Sequence, residues 1–430
     1  MQLVISPTPN KAVVAIVVLL LQSCIQKLAI TDSISFIKTI DEIIVLILSP
    51  YALRIAFVYF KQHILFRRAM SLLLAYWFVS FTSYCFGDGQ FVQFIYQFVL
   101  DIKYVVVFLY CLGAYRPSRT EHIFTLLFKV IVLISIPFVL LQMISPAIYD
   151  SLFPLGAHKG IFQTRSGGYL SRTAGAFWFT GQLALFSCLS AGYFLIRLGI
   201  EKKERGNLLF ASLSLGLLAT TLSRGEIASF ILAGGLTYLF FFSNKKIKPV
   251  AFIFVSIVIS LIALLNMPLI TKSLVELGLL GEVIDVAPRA KMLLSALSVA
   301  NENFPLGAGL GTLGGQAAVV FDSELFYVYG FQYEWFFEHG LYLTDTYWPK
   351  IIAESGFFGM FALLLFYLCP ALNAVLGRYE MTIPSIYTFF SILAFFINSF
   401  SSPVYNSALF VFLVCFLIGG FKHKDASDEV

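Results

Sequence analysis

Two charges interrupt an otherwise apolar stretch of this chain. TLSRGEIASF (221–230) joins two apolar runs with no loop between them and places Arg224 and Glu226 two residues apart. A charged side chain at the centre of a membrane span costs about 2.5–3.5 kcal/mol on insertion scales, so each one is a functional candidate by default. Small polar residues (Thr220, Thr221 and Ser223) precede Arg224, and Gly225 follows it, which reads as a tight break. A guanidinium held at such a corner can aim its planar fork at a phosphate or carboxylate; a plain interfacial anchor is the competing reading. Further cations, Lys159, Arg165, Arg172, Lys272, Arg289 and Lys291, fall in two segments where topology does not call for them. Together with Arg224 they suggest a basic pocket for an anionic lipid head group such as a diphosphate, or a general attachment to anionic phospholipid.

Other groups have less pointed roles. The stretch FYVYGFQYEWFF (326–337) offers Tyr327, Tyr329, Tyr333 and Trp335 for stacking on sugar faces or for anchoring at a membrane interface. Asp101 and Lys103 lie mid-run but cannot face each other at a spacing of two on a helix, so at least one needs a partner on another helix. Lys27, Arg54 and Lys129 sit near predicted helix ends, where snorkelling accounts for them. The six cysteines lie in apolar runs without CxxC spacing, so neither a disulfide framework nor a zinc site is suggested.

The elements that must position these residues follow from composition. Of 430 residues, 59% are hydrophobic and only 12% charged, against about 25% charged in soluble domains. Apolar runs of membrane-crossing length recur along the chain, and only helices can carry so many across a bilayer. The fold class is therefore an all-α polytopic membrane protein of about twelve transmembrane helices, at 12–30, 42–60, 69–86, 91–114, 123–145, 174–196, 207–223, 225–242, 249–266, 348–369, 383–400 and 404–420. Lys and Arg concentrate in alternate connections, which puts both termini in the cytoplasm and the 145–173 and 267–347 segments on the outer side. The chain thus divides into helices 1–9 (1–266), a large, partly helical outer loop (267–347), helices 10–12 (348–420) and a cytoplasmic tail (421–430). An amphipathic helix at 288–303, with Leu293, Leu294, Leu297 and Ala300 on one face, is expected to lie on the membrane. The net charge of +5 is scattered in short loops and is no nucleic-acid signal.

Four stretches, taken in order, resemble the O-antigen polymerase/ligase superfamily, which includes Wzy-type polysaccharide polymerases and WaaL-type O-antigen ligases. They are SRTAGAF (171–177), TLSRGE (221–226), PRAKMLLSAL followed by NFPLGAGLGT (288–312), and DTYWPKIIAESGFFG (345–359). The resemblance covers about 171–360. It implies a cofactor-free, metal-independent glycosyltransferase at the outer face of the bacterial inner membrane, whose partners are an undecaprenyl-diphosphate-linked oligosaccharide and membrane lipid, with a chain-length regulator allowed. Carried over residue by residue, the diphosphate-binding arginines are Arg172, Arg224 and Arg289, with Arg165 a nearby extra. Ligases resemble a pattern with a histidine at the place Asp345 occupies here. That departure implies a polymerase with Asp345 as base or positioning group for the acceptor hydroxyl, and His339 as the substitute. The alternatives are a ligase and a transporter of lipid-linked oligosaccharide or anions, and helix capping is the competing reading of Asp345. Glu354 is expected to be structural.

Overall fold

The computed structural model describes residues 8–26, 39–62, 64–87, 89–116, 118–153, 164–165, 170–201, 205–242, 288–338, 340, 342–376 and 382–418. The first half contains α1 (Pro9–Ile25), α2 (Ile40–Gln62), α3 (Ile64–Phe86), α4 (Phe91–Ala114), α5 (Arg119–Ile144), α6 (Pro146–Leu152), a two-residue hairpin of β1 (Thr164–Arg165) and β2 (Leu170–Ser171), α7 (Thr180–Glu201), α8 (Arg205–Thr221) and α9 (Arg224–Thr237). The second half contains α10 (Pro288–Glu302), α11 (Gln316–Val320), α12 (Glu324–Val328), α13 (Trp335–Glu338), α14 (Trp348–Leu376), α15 (Ile383–Asn398) and α16 (Ala408–Cys415).

Among the described residues seven helices are long and apolar enough to cross a membrane: α2, α3, α4, α5, α7, α9 with its π-helical continuation Tyr238–Phe242, and α14. The outward faces of α2 and α3 carry exposed Leu46, Ile47, Leu53, Phe57, Leu74 and Phe78, as lipid contact requires. α1 and α15 are shorter apolar helices. The sequence predicts twelve spans; the one at 249–266 lies outside the described residues, as does Lys27. Several bounds differ from expectation, among them the 348–369 span, which runs on to Leu376, and the 69–86 span, which begins at Ile64; two others bear on the site. The run predicted as 174–196 becomes helical only at Thr180, because Gly175 adopts a positive φ of 53° and residues 172–179 are tied down by side chains from elsewhere. The run predicted as 404–420 is helical at Ala408–Cys415, after Pro403 and a short 3-10 turn at Val404–Asn406.

α16 is buried on every side, as a helix apolar all round should be. It packs among α1, α2, α4, α7 and α15. α7, also largely buried, pairs with α8 and α15, and Gly192 makes room for Phe390, whose ring a Cβ there would strike. Two interior charges on α4 are paired. Lys103 reaches Asp41 at 2.7 Å and Glu42 at 2.5 Å, both in the first turn of α2. Asp101 turns the other way, to Lys350 on α14 at 2.6 Å and Gln97 at 2.8 Å. Each therefore finds its partner on a different helix, which two neighbours at i and i+2 could not do for one another.

α14 is broken at Gly356, whose φ of 63° and ψ of −172° are not helical. The break frees the carbonyls of Ala353 and Glu354, which accept from the amides of Ala308 (2.9 Å) and Gly309 (3.1 Å). Ser83 of α3 donates to Gly307 and Glu354 carbonyls at 2.9 and 2.8 Å. A Cβ on Gly307 would lie 2.5 Å from the Gly356 nitrogen, and one on Gly356 2.3 Å from the Pro305 carbonyl oxygen. The glycine loop at 307–315 is thus docked backbone to backbone. α10 packs on α14 through Met292, Ser295, Ala296, Val299 and Ala300. Ala300 belongs to this buried face, whereas Leu293 and Leu294 are exposed, so the expected stripe splits between two faces.

Removing one member of a buried ion pair costs about 3–5 kcal/mol. Lys350→Met is therefore expected to lower the thermal stability of the purified protein in detergent by that order, and Asp101→Leu in the same chain to recover much of the loss. Equal instability of the single and double variants would argue against the pair.

Candidate active site

The corner at 221–226 is built by Leu222 and Ser223 rather than by Gly225. Leu222 adopts a φ of 50°, and Ser223 is the extended residue that precedes α9. Left-handed backbone is disfavoured for a leucine by about 1–2 kcal/mol. Surrounding contacts hold it: the Leu222 amide donates to the Ala219 carbonyl at 3.2 Å, and the Ser223 amide to Thr221 Oγ1 at 3.3 Å. Gly225 lies inside the helix. Its role is close approach, since a Cβ there would sit 2.7 Å from Ser401 Oγ.

Arg172 is pinned to this corner. Its Nε donates to the Thr221 carbonyl and its Nη2 to Ser223 Oγ, both at 3.2 Å. The hydroxyls of Thr173 and Thr220 bond at 2.8 Å, and the Thr173 amide reaches the Thr220 carbonyl at 3.3 Å. From the other side Gln142 accepts from the amides of Ala174 (2.9 Å) and Gly175 (3.2 Å), and Tyr149 donates to the Gly175 carbonyl at 2.6 Å. Glu226, buried, accepts from Ser223 Oγ and presents its charge to Arg172. Sequence spacing suggests that Glu226 serves Arg224; the helix instead turns it toward Ser223 and Arg172. Burial holds the Arg172 guanidinium below its ordinary pKa; Glu226 opposes that shift, and the nearby charges of Arg289 and Arg224 add to it.

The charges of Arg224 and Arg289 both bear on Arg172, although the three arrive from the start of α9, the start of α10 and the lead-in to α7. Arg224 and Arg289 are exposed, and among the described residues Arg224 has no carboxylate partner. Arg289 Nη2 lies 3.4 Å from Asp345 Oδ2, with both side chains substantially exposed. Asp345 stands ahead of α14, which begins at Trp348, so it does not cap that helix. Tyr342, at a φ of 62°, completes this edge; its hydroxyl pKa is raised by burial and then by the Asp345 charge, with Arg289 offsetting part of the rise.

Other candidates stand apart. Lys291 bonds Glu334 at 2.6 Å and the Gly330 carbonyl at 2.8 Å, and lies over the Phe331 ring, so it braces the 324–338 segment and leaves the basic cluster. Tyr333 and Trp335 are exposed, with Trp335 packed edge-on to Tyr342. The side chain of Arg165, and Lys159, Lys272 and His339, lie outside the described residues. Glu354 is fully buried beside Lys350 and Asp101. Lys350 was not singled out by sequence, although it falls four residues before Glu354 in the DTYWPKIIAE stretch.

Introducing a methyl group into a packed contact costs about 1–3 kcal/mol. Here the atom met is the rotatable Ser401 hydroxyl, so Gly225→Ala is expected to cost less than that, chiefly by turning this hydroxyl away from Asn398, and Ser401→Gly to relieve the cost; a thermal-unfolding double-mutant cycle with no coupling would refute the contact.

Residues 209–364 match the family model described as O-antigen ligase. The match takes in α8, the Arg224 corner, α10, the glycine loop and the broken part of α14, and leaves Arg172 outside it. No curated protein matches the chain.

Proposed function

From the chain's place in the O-antigen polymerase/ligase superfamily, we propose that it is a polysaccharide polymerase joining undecaprenyl-diphosphate-linked oligosaccharide repeat units. The observation that carries this is that Arg172, held at the corner, lies within the electrostatic reach of both Arg224 and Arg289, with Asp345 beside Arg289. The reaction takes place at the outer face of the bacterial inner membrane, with both chain termini in the cytoplasm.

Glycosyl transfer breaks the bond between the anomeric carbon and the diphosphate oxygen, and the leaving group keeps the electron pair. The three guanidiniums stabilise the charge that develops there, with bidentate geometry suited to phosphate. Arg172 is fixed by its bonds to Thr221 and Ser223, whereas Arg224 and Arg289 have exposed forks free to turn to the ligand. The new bond forms from an acceptor sugar hydroxyl, whose proton passes to Asp345. An exposed ion pair holds weakly, at about 0–1 kcal/mol. A diphosphate therefore readily takes Arg289 from Asp345 and leaves that carboxylate available as base. One attack from the face opposite the leaving group inverts the anomeric configuration.

The description of the matching family favours a second reading, transfer of a finished glycan to a lipid A core by a ligase. Asp345, standing where ligases resemble a histidine pattern, favours the polymerase. Reconstitution with an undecaprenyl-diphosphate oligosaccharide separates the two: longer glycans support polymerisation, and product on lipid A core supports ligation. Loss of transition-state charge stabilisation costs about 10²–10³-fold in rate per donor group. Arg289→Ala and Arg224→Ala are each expected to lower polymer formation by at least that factor with membrane insertion intact. Asp345→Asn is expected to slow transfer about 10²–10⁴-fold. A wild-type ladder of chain lengths from Arg289→Ala would sink the assignment.

A further inference from the structure

A second polar feature lies behind the arginine corner. A cavity of about 310 Å³ opens between the end of α1, the starts of α2 and α7, and the turn before α16, and falls within the roughly 300–1,000 Å³ of small-molecule sites. Its walls present the amides of Gln22, Gln26, Gln182 and Asn406 beside the rings of Phe179 and Phe410. Amide side chains both donate and accept, and so match sugar hydroxyls, while aromatic rings match the apolar sugar face. Part of the frame is already committed: Gln182 Oε1 accepts from Ser23 Oγ at 3.0 Å and from the Trp178 amide at 3.2 Å. Asn406 is not committed, because among the described residues its side chain makes no hydrogen bond, and it is only partly buried.

Two walls are shared with the arginine corner. The segment that begins at Arg172 runs on to Phe179, Gly181 and Gln182 in the cavity, and a Cβ on Gly181 would sit 3.3 Å from Glu226 Oε1. The turn that supports Gly225 through Ser401 continues into Ser402 and Asn406 on the cavity wall. The charge balance is also informative. Asp41 and Glu42 both line the cavity and both bond Lys103, and among the described residues the lining itself contains no Lys or Arg. Carboxyl groups with no cation facing them across the cavity disfavour an acidic ligand.

We infer that this cavity is a carbohydrate subsite that receives a neutral or basic sugar unit of the glycan whose diphosphate lies at the arginine corner. The ligand class rests on the proposed glycosyl transfer; the position and the charge preference come from the cavity itself.

The test is saturation-transfer NMR on the full-length protein in lipid nanodiscs, with methyl glucoside, methyl galactoside, methyl N-acetylglucosaminide and methyl glucuronide as probes. At least one neutral glycoside is expected to bind and the glucuronide to bind at least tenfold more weakly. Asn406→Leu, which removes the uncommitted amide, and Ser402→Trp, which fills the space, are each expected to weaken neutral-glycoside binding at least tenfold. Unfolding temperatures within a few degrees of wild type establish that both variants fold. Absence of any glycoside binding, equal binding of the glucuronide, or binding unchanged in both variants overturns the inference. Glycoside binding needs no turnover. A chain that binds sugars here but makes no polymer therefore refutes only the polymerase assignment; a chain that polymerises but binds glycosides indifferently to both variants refutes only the subsite.

Discussion

The break in α14 at Gly356 is the constraint on which the site depends. A transmembrane helix normally uses all of its carbonyls internally, because the bilayer offers no alternative partner. Here two carbonyls are released and taken up by the glycine loop, whose own positive-φ residues, Gly307 and Gly309, bring its amides into range. That docking fixes the end of α10 against α14, and with it the two ends of the segment that carries Arg289 and Asp345. A side chain at either Gly307 or Gly356 would separate the two backbones, so both positions follow from contact distance as much as from φ.

The interior charges extend the same economy to side chains. Lys103 and Asp101 each link α4 to a different neighbour, α2 in one case and α14 in the other. Such pairs add little net stability over well-packed apolar groups, but each member left alone is costly. They therefore act mainly against misregistered packing of α4, because a shift of one turn would strand two charges at once.

Much of this was legible in the sequence. Apolar run length gives the helices, since 1.5 Å of rise per residue against a bilayer of about 30 Å leaves little freedom. The cost of charge marked Arg224, Asp101 and Lys103. What remained hidden depends on where the chain turns and which face a helix presents. Gly225 reads as a corner because glycine permits one, yet Leu222 makes the turn, under strain a sequence does not display. Lys291 reads as part of a basic pocket, yet its partner Glu334 lies 43 residues away. The amides of the cavity come from α1, α7 and the turn before α16, and no spacing rule connects Gln22 with Asn406.

The dependence of Gly225 on Ser401 also bears on the order of synthesis. Arg172 and Arg224 are synthesised early, Arg289 and Asp345 later, and the turn that buttresses α9 last of all. Until that turn arrives, the corner lacks one of its walls. A nascent chain would thus pass through insertion with its cationic residues present but unassembled, and competence would arise only once the final helices are in place.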